Sequence, residues 1–293
     1  MITKELKQRV IAEMARARAN FSGSDAKFAT SLGVNNAQYS RVKNGETERV
    51  LSDAAWITIA RKLGVSINNA EPWSVAKTPV FEFITAQLEM CQRESDSAMI
   101  CDLSNIGKTF TARHYVKTHK NAVYIDCSQV KTKRALIKQI AKEFGVGTTG
   151  KLADVYEDLV FYLKTLPTPL IILDEAGDLQ YDAFLEIKAL YNATEKACGF
   201  YMMGADGLRA KMQRGRTNEK VGFAEMFTRF GSRYGKAIPE GDAGKKTLQL
   251  TALLIIKANA KSGTNINKVY AGILGEDGVP SLRRINKELA KGN

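Results

Sequence analysis

Residues 97–109, Ser-Ala-Met-Ile-Cys-Asp-Leu-Ser-Asn-Ile-Gly-Lys-Thr, decide the fold of this chain. Ser97 to Cys101 is an apolar run of strand length, and Gly107-Lys108-Thr109 closes a turn that opens a helix. A strand, a tight turn and a helix in that order aim backbone amides and the positive end of a helix dipole at one point, which suits a phosphate. Gly107 lets the backbone come close to phosphate oxygens, Lys108 can reach the β- and γ-phosphates, and the Thr109 hydroxyl can ligate Mg²⁺. Asn105, Ile106 and Phe110 complete the stretch expected to touch a nucleotide. Asp102 stands where such turns carry their first glycine, so a disturbed loop and repulsion toward phosphate are expected there.

A GKT triplet alone arises often by chance. Downstream, Leu170-Ile171-Ile172-Leu173-Asp174-Glu175 is an apolar strand that delivers two carboxylates at its C-terminal end, where ligands sit in a parallel sheet. Asp174 is expected to hold Mg²⁺ through water and Glu175 to polarise an attacking water. The bland alternative is a buried strand followed by a helix-capping acidic pair. Ala122 to Cys127 and Gly199 to Gly204 read as two further strands, with a helix over 136–144. Short apolar runs separated by helices predict an α/β domain with a parallel sheet flanked by helices. From about Lys246 the pattern turns helical and predicts a small lid.

In front of this domain, residues 1 to about 70 read as short helices. Ser24 or Asp25 caps one that stops at Gly33, a second spans 36–43, and Ser52 or Asp53 caps a third carrying Trp56, Ile59, Ala60 and Leu63. The spacing of Ala29, Gly33, Val34 and Val42 is similar to that of repressor-type helix-turn-helix domains. Its second helix is expected to expose Asn36, Gln38, Tyr39, Ser40, Arg41 and Lys43 toward a DNA groove, the alternative being a helical bundle for protein contact. Glu71-Pro72-Trp73 and Lys77-Thr78-Pro79 interrupt the helical pattern. The predicted units are therefore 1–72, a linker 73–80, the nucleotide-binding domain 81–245 and the lid 246–293.

Composition fits this division: 293 residues, 44% hydrophobic and 25% charged, suffice for two soluble domains. Forty-three Lys and Arg against 31 acidic residues leave a net charge of +12, which favours a polyanionic partner. Cys91, Cys101, Cys127 and Cys198 are scattered, with no metal-ligand spacing, and read as reduced thiols. The sequence shows no secretory leader and no apolar run of membrane-spanning length, so a cytoplasmic protein without membrane contact is expected.

Taken in chain order, these pieces resemble an AAA+ ATPase over most of residues 80–293. In that resemblance a polar sensor follows the fourth strand, where Met203-Gly204-Ala205-Asp206 supplies Ala205 in place of Asn or Thr. The segment 227–233, Phe-Thr-Arg-Phe-Gly-Ser-Arg, is similar to the one carrying an arginine finger in trans, implying Arg229 or Arg233 as that finger. Residues 280–285 resemble the second sensor, implying Arg283 as a nucleotide contact. More narrowly, the chain resembles the transposition protein B family of phage Mu and Mu-like elements, in LIILDEAGDL and in GFYMMGADGLRAKM followed by FAEMFTRFGSR. That resemblance implies ATP and Mg²⁺ as cofactors, double-stranded DNA as ligand, a homo-oligomeric helical filament on target DNA, and a transposase as partner that stimulates hydrolysis. It also implies a second DNA surface on the ATPase domain, with Lys131, Lys133 and Arg134, and a loop bearing Arg209, Lys211, Arg214 and Arg216, as candidates. A helicase-loader role, and a repressor-like DNA binder with a degenerate ATPase domain, stand as competing readings.

Overall fold

In a computed structural model of the chain, residues 2–66 and 73–291 are described, so Glu71 and Pro72 of the linker lie outside the described residues. Four strands, β1 (Ser97–Cys101), β2 (Ala122–Asp126), β3 (Leu170–Asp174) and β4 (Gly199–Gly204), form one sheet in the order β1-β4-β3-β2 with every pair parallel. The central strands β3 and β4 are buried at every position, which is why they read as unbroken apolar runs and show no alternation. Register sets Asp126 beside Asp174 and Cys101 beside Gly204, so the acidic ends of β2 and β3 and the turn after β1 share the C-terminal edge of the sheet.

Helices cover both faces. On one, Ile171, Leu173, Phe200 and Met202 pack with α7 (Lys133–Glu143), α8 (Leu152–Thr165), α9 (Tyr181–Ala193) and α10 (Asp206–Thr217). On the other, Ile100, Leu170, Ile172 and Tyr201 pack with α5 (Pro79–Glu94) and α6 (Lys108–Thr118). A rudimentary fifth strand flanks β1: Gly235 bridges Ile100 in parallel, donating to Met99 O at 2.8 Å and accepting from Cys101 N at 3.1 Å. A β-carbon at Gly235 would stand 2.9 Å from Met99 O, so glycine permits this approach. Residues 235–238 leave α11 (Phe223–Arg229) behind and lead into the C-terminal helices α12 (Gly241–Asn259), α13 (Ile266–Ile273) and α14 (Ile285–Lys291). These three pack around Ala252, Ile256, Val269, Ile273 and Ile285.

The N-terminal helices α1 (Lys4–Ala19), α2 (Asp25–Leu32), α3 (Asn36–Lys43) and α4 (Asp53–Leu63) enclose a separate core that includes Val10, Phe28, Val42 and Trp56. Local signals set their ends. Ser24 and Ser52 cap through their hydroxyls, Asn35 and Gln38 form a reciprocal capping box, and Gly33 ends α2 at φ 81°. This unit rests on the sheet domain: Lys62 pairs with Glu143 at 2.8 Å, and the Lys27 ammonium lies 3.3 Å from the Tyr162 ring centroid. Two sequence expectations change. The linker reading ran to residue 80, but Thr78 caps a helix that begins at Pro79, a residue suited to the first helical turn. The stretch bearing Arg209, Lys211, Arg214 and Arg216, expected as a loop, lies within the helix α10.

Candidate nucleotide site

The turn between β1 and α6 takes its shape from two left-handed residues, Asn105 (φ 63°) and Gly107 (φ 101°). Gly107 is the N-cap of α6 and offers no side-chain cap, so the first-turn amides keep their donors for an anion. Lys108 is 7% exposed and its ammonium donates to the carbonyls of Asp102 at 3.0 Å and Leu103 at 2.5 Å. Burial lowers its pKa, against the upward pull of Asp102, Asp174 and Glu175. The lysine is thus held inside the turn by neutral carbonyls that a phosphate oxygen can replace.

Asp174, only 2% exposed, is the hub of the site. Its Oδ2 accepts from Thr109 Oγ1 at 2.6 Å and from Tyr124 OH at 2.8 Å, while its Oδ1 accepts from the Glu175 amide at 3.0 Å. The hydroxyl and carboxylate needed for Mg²⁺ are therefore already in contact. The donor set fits a hard cation completed by phosphate and water, because hydroxyl and carboxylate are oxygen ligands and no group of three or more His, Cys, Asp or Glu converges among the described residues. Glu175 follows the strand at φ 50°, an uncommon conformation for a residue with a β-carbon, and stands exposed beside the buried Asp174. Partial desolvation of its carboxyl and then the neighbouring Asp174 charge raise its pKa above the ordinary value, which suits a base.

Asp102 corrects its expectation. Its carboxylate is 4% exposed and accepts three backbone amides: Leu103 N at 2.7 Å, Ala237 N at 2.6 Å and Ile238 N at 2.9 Å. The charge is spent on the segment that follows the fifth strand and is not presented to a phosphate. The carboxylate prolongs the pairing between β1 and residues 235–238 where the backbone of β1 has turned away. Ala205, at the N-cap of α10, supplies no side-chain hydrogen bond.

Beside the turn, Trp73, Phe81, Asn105, Ile106, Phe110 and Arg283 are among the residues lining a cavity of about 210 Å³. It is aromatic on the linker side and carries the exposed Arg283 on the lid side, a chemistry that suits a nucleoside next to its phosphates. Sequence reasoning missed Trp73, Phe81 and Tyr124. Trp73 had been read only as part of an interruption, and Tyr124 only as strand.

The two candidate fingers lie elsewhere. Arg229, half-buried, has its guanidinium 5.7 Å from the Tyr191 ring, and Arg233, exposed, lines a second cavity with Asp96 and Ser97 at the start of β1. That is the opposite end of the strand from the phosphate turn, so neither arginine joins the phosphate site of its own chain.

The DNA candidates divide sharply. Asn36, Arg41 and Lys43 are exposed on α3, Arg41 paired to Glu46 and Lys43 to Asp25, each at 2.9 Å. Tyr39, expected outside, is 3% exposed and packs edge-on against Phe28, because it falls on the stripe of α3 that faces the core. Gln38 is half-buried and engaged, accepting from Asn35 N at 3.2 Å and donating to Val50 O at 3.4 Å. Lys131 pairs with Asp178 at 3.2 Å and Lys133 with Glu186 at 2.8 Å, while Arg134 is exposed. On α10, Arg209 is half-buried against Tyr234, Arg216 lies over Phe227, and Arg214 is exposed. Lys211 is turned inward to the carbonyls of Gly177 and Leu179, so it is not a free cation for a phosphate backbone.

A phosphate-binding turn between a strand and a helix, an acidic strand end beside it and a sheet extended by a fifth parallel segment define an ATPase domain of the AAA class. The profile described as AAA domain matches residues 57–212, more than half of the 293, and the chain belongs to that family. The chain is 23% identical over 217 residues to the Mu-like prophage FluMu DNA transposition protein B of Haemophilus influenzae, covering 73% of both chains. It is 25% identical over 195 residues to the ATP-dependent target DNA activator B of Escherichia phage Mu, covering 65% of this chain and 59% of that one. Among solved structures it is similar in fold to the Aeropyrum pernix ORC1 protein, solved in complex with DNA, with a TM-score of 0.53 and 16% identity over 75% of this chain and 60% of that one. No helix among the described residues is long and apolar enough to cross a membrane.

Proposed function

We propose that this chain is an ATP-dependent DNA-binding protein that assembles as a homo-oligomeric filament on target double-stranded DNA and presents that DNA to a transposase of a Mu-like element. One observation carries the reading: the turn with Lys108, Thr109 and Asp174 stands at one end of the sheet while Arg229 and Arg233 stand at the other. Such a chain finishes its catalytic site only when a neighbour supplies the arginine, so nucleotide state and assembly are linked. The names of the relatives, a target DNA activator and a transposition protein, point the same way.

In this reading Lys108 and the first-turn amides of α6 hold the phosphates, Arg283 contacts the nucleotide from the lid, and Glu175 orients the attacking water. Thr109 and Asp174 hold Mg²⁺, which neutralises charge on the phosphates when bound. The N-terminal helices act as a helix-turn-helix unit whose Asn36, Arg41 and Lys43 face DNA, the segment ending at Thr78 links it to the nucleotide-binding domain that opens with α5, and α12 to α14 form the lid. Arg134 and Arg214 are the exposed cations proposed for sequence-independent phosphate contacts along a filament.

Ala205 favours a second reading, a DNA binder whose ATPase domain has lost turnover. One experiment separates the two: binding to a random-sequence duplex with no nucleotide, ADP, ATP and a slowly hydrolysed ATP analogue, with the mixtures imaged. Filaments only with the triphosphates support the first reading. Nucleotide-independent binding by single particles, unchanged in Lys108→Ala, overturns it in favour of the second.

A further inference from the structure

Beyond the residues of the phosphate motif, one side chain is joined directly to the hub carboxylate. Tyr124 lies in the middle of β2, paired with Ile172, and points to the same sheet face as Asp174. Asp174 is two residues further along the neighbouring strand, about 6.6 Å at the rise of a parallel strand. A tyrosine leaning along the strand spans that gap with its ring and ends in a donor. The hydroxyl meets Oδ2 at 2.8 Å, the same oxygen that Thr109 Oγ1 approaches at 2.6 Å.

Behind the phenol stands Arg113, one helical turn after Thr109 on α6, with its guanidinium 5.0 Å from the Tyr124 ring centroid. The four residues form a line, Arg113 to Tyr124 to Asp174 to Thr109, that binds the middle of β2 to the end of β3 and the start of α6. The terminal torsion of an aspartate is soft and nearly two-fold. A carboxylate donated to on Oδ1 by one amide and on Oδ2 by two hydroxyls has that freedom removed.

We infer that Tyr124 is a positioning residue for the magnesium–nucleotide complex, holding Asp174 in the orientation in which it and Thr109 share the ion. The inference rests on the nucleotide reading above. Hydrogen-bond partners of a metal-binding carboxylate typically contribute 10–100-fold to metal affinity or activity.

The test is a magnesium titration of the full chain, wild type and Tyr124→Phe, read by binding of a fluorescent, slowly hydrolysed ATP analogue. Phenylalanine keeps the ring and removes only the donor. Nucleotide affinity in EDTA should be equal in the two proteins, while the magnesium midpoint should rise about tenfold in the variant. Equal midpoints in both proteins would overturn the inference, because a merely structural tyrosine leaves the ion's midpoint alone. If Tyr124→Phe does not fold, Arg113→Ala on the exposed side of α6 carries the test in smaller size. Its midpoint should then rise roughly two- to fivefold, the worth of a cation on a ring, and an unchanged value overturns the inference. A wild type whose nucleotide affinity ignores magnesium would sink the nucleotide reading itself, and this inference with it.

Discussion

The phosphate site and the exposed face of α3 are both built from short polar motifs, yet they hold their charges in opposite ways. At the phosphate site Lys108, Asp102 and Asp174 are buried and tied to backbone groups or hydroxyls, so each charge has a fixed position before any ligand arrives. On α3, Arg41 and Lys43 are about half exposed and paired with the equally exposed Glu46 and Asp25. Such surface pairs are individually weak and easily exchanged for a phosphate. The first region is organised for chemistry at one point. The second suits a long polyanion that is met in many registers, with affinity set by counterion release.

The sharpest way to break this comparison is Lys108→Ala. Loss of a charge-assisted contact in a buried site should lower ATP affinity on the order of 100-fold, seen by titration with a fluorescent nucleotide. An affinity within a few-fold of wild type would mean that the turn does not bind the triphosphate.

Next in size is Asp102→Gly, which restores the glycine usual at that position of the motif. It removes the acceptor of three amides, two of them 135 and 136 residues away. Unfolding stability should fall by about 3 kcal/mol, read from urea denaturation. A stability equal to wild type would show that the carboxylate is not needed to hold the fifth strand to the turn.

On the other side of the comparison, the double change Arg41→Ala with Lys43→Ala should reduce the slope of log affinity against log salt by about 1.8, at roughly 0.9 per phosphate contact. It should leave ATP binding untouched. An unchanged slope would move the DNA surface away from α3.

The smallest effect on stability concerns Glu175. Its raised pKa means that the folded chain binds this proton more tightly than the unfolded chain does. Its contribution to stability is therefore favourable at low pH and is lost as pH rises from the unfolded value through the folded one. Hydrolysis needs the ionised form, so turnover should increase over the same window, above the ordinary 4.5. Glu175→Gln should abolish turnover while removing this pH dependence from a thermal unfolding series. A pH dependence of stability identical in both proteins would exclude the perturbation.

Much of the fold was legible because it is locally encoded. Leu170–Asp174 and Gly199–Gly204 are apolar at nearly every position and so are strands buried on both faces, and Ser24, Ser52, Gly33 and Gly64 mark helix ends by their own chemistry. The misses share a cause. Tyr39 and Ser40 are both acceptable on an exposed helical face, and only packing against Phe28 decides that the tyrosine is inside. Lys211 counts as a surface cation until the carbonyls of Gly177 and Leu179 are seen to face it. The sequence shows Trp73 as an interruption of a helix, and nothing local says that it lines a cavity shared with Arg283.

By itself, then, the sequence determined the four strands along the chain, the phosphate turn with Lys108 and Thr109, and the acidic strand end with Asp174 and Glu175, since each depends on residues within one element. The tertiary structure alone decided the partners of the buried charges. It gave Asp102 to Ala237 and Ile238, Tyr124 to Asp174, and Arg229 and Arg233 to the far end of the sheet. The physical reason is that most buried polar groups take a partner, and which one they find is set by strand register and helix placement, through contacts such as that of Asp102 with Ile238, 136 residues away.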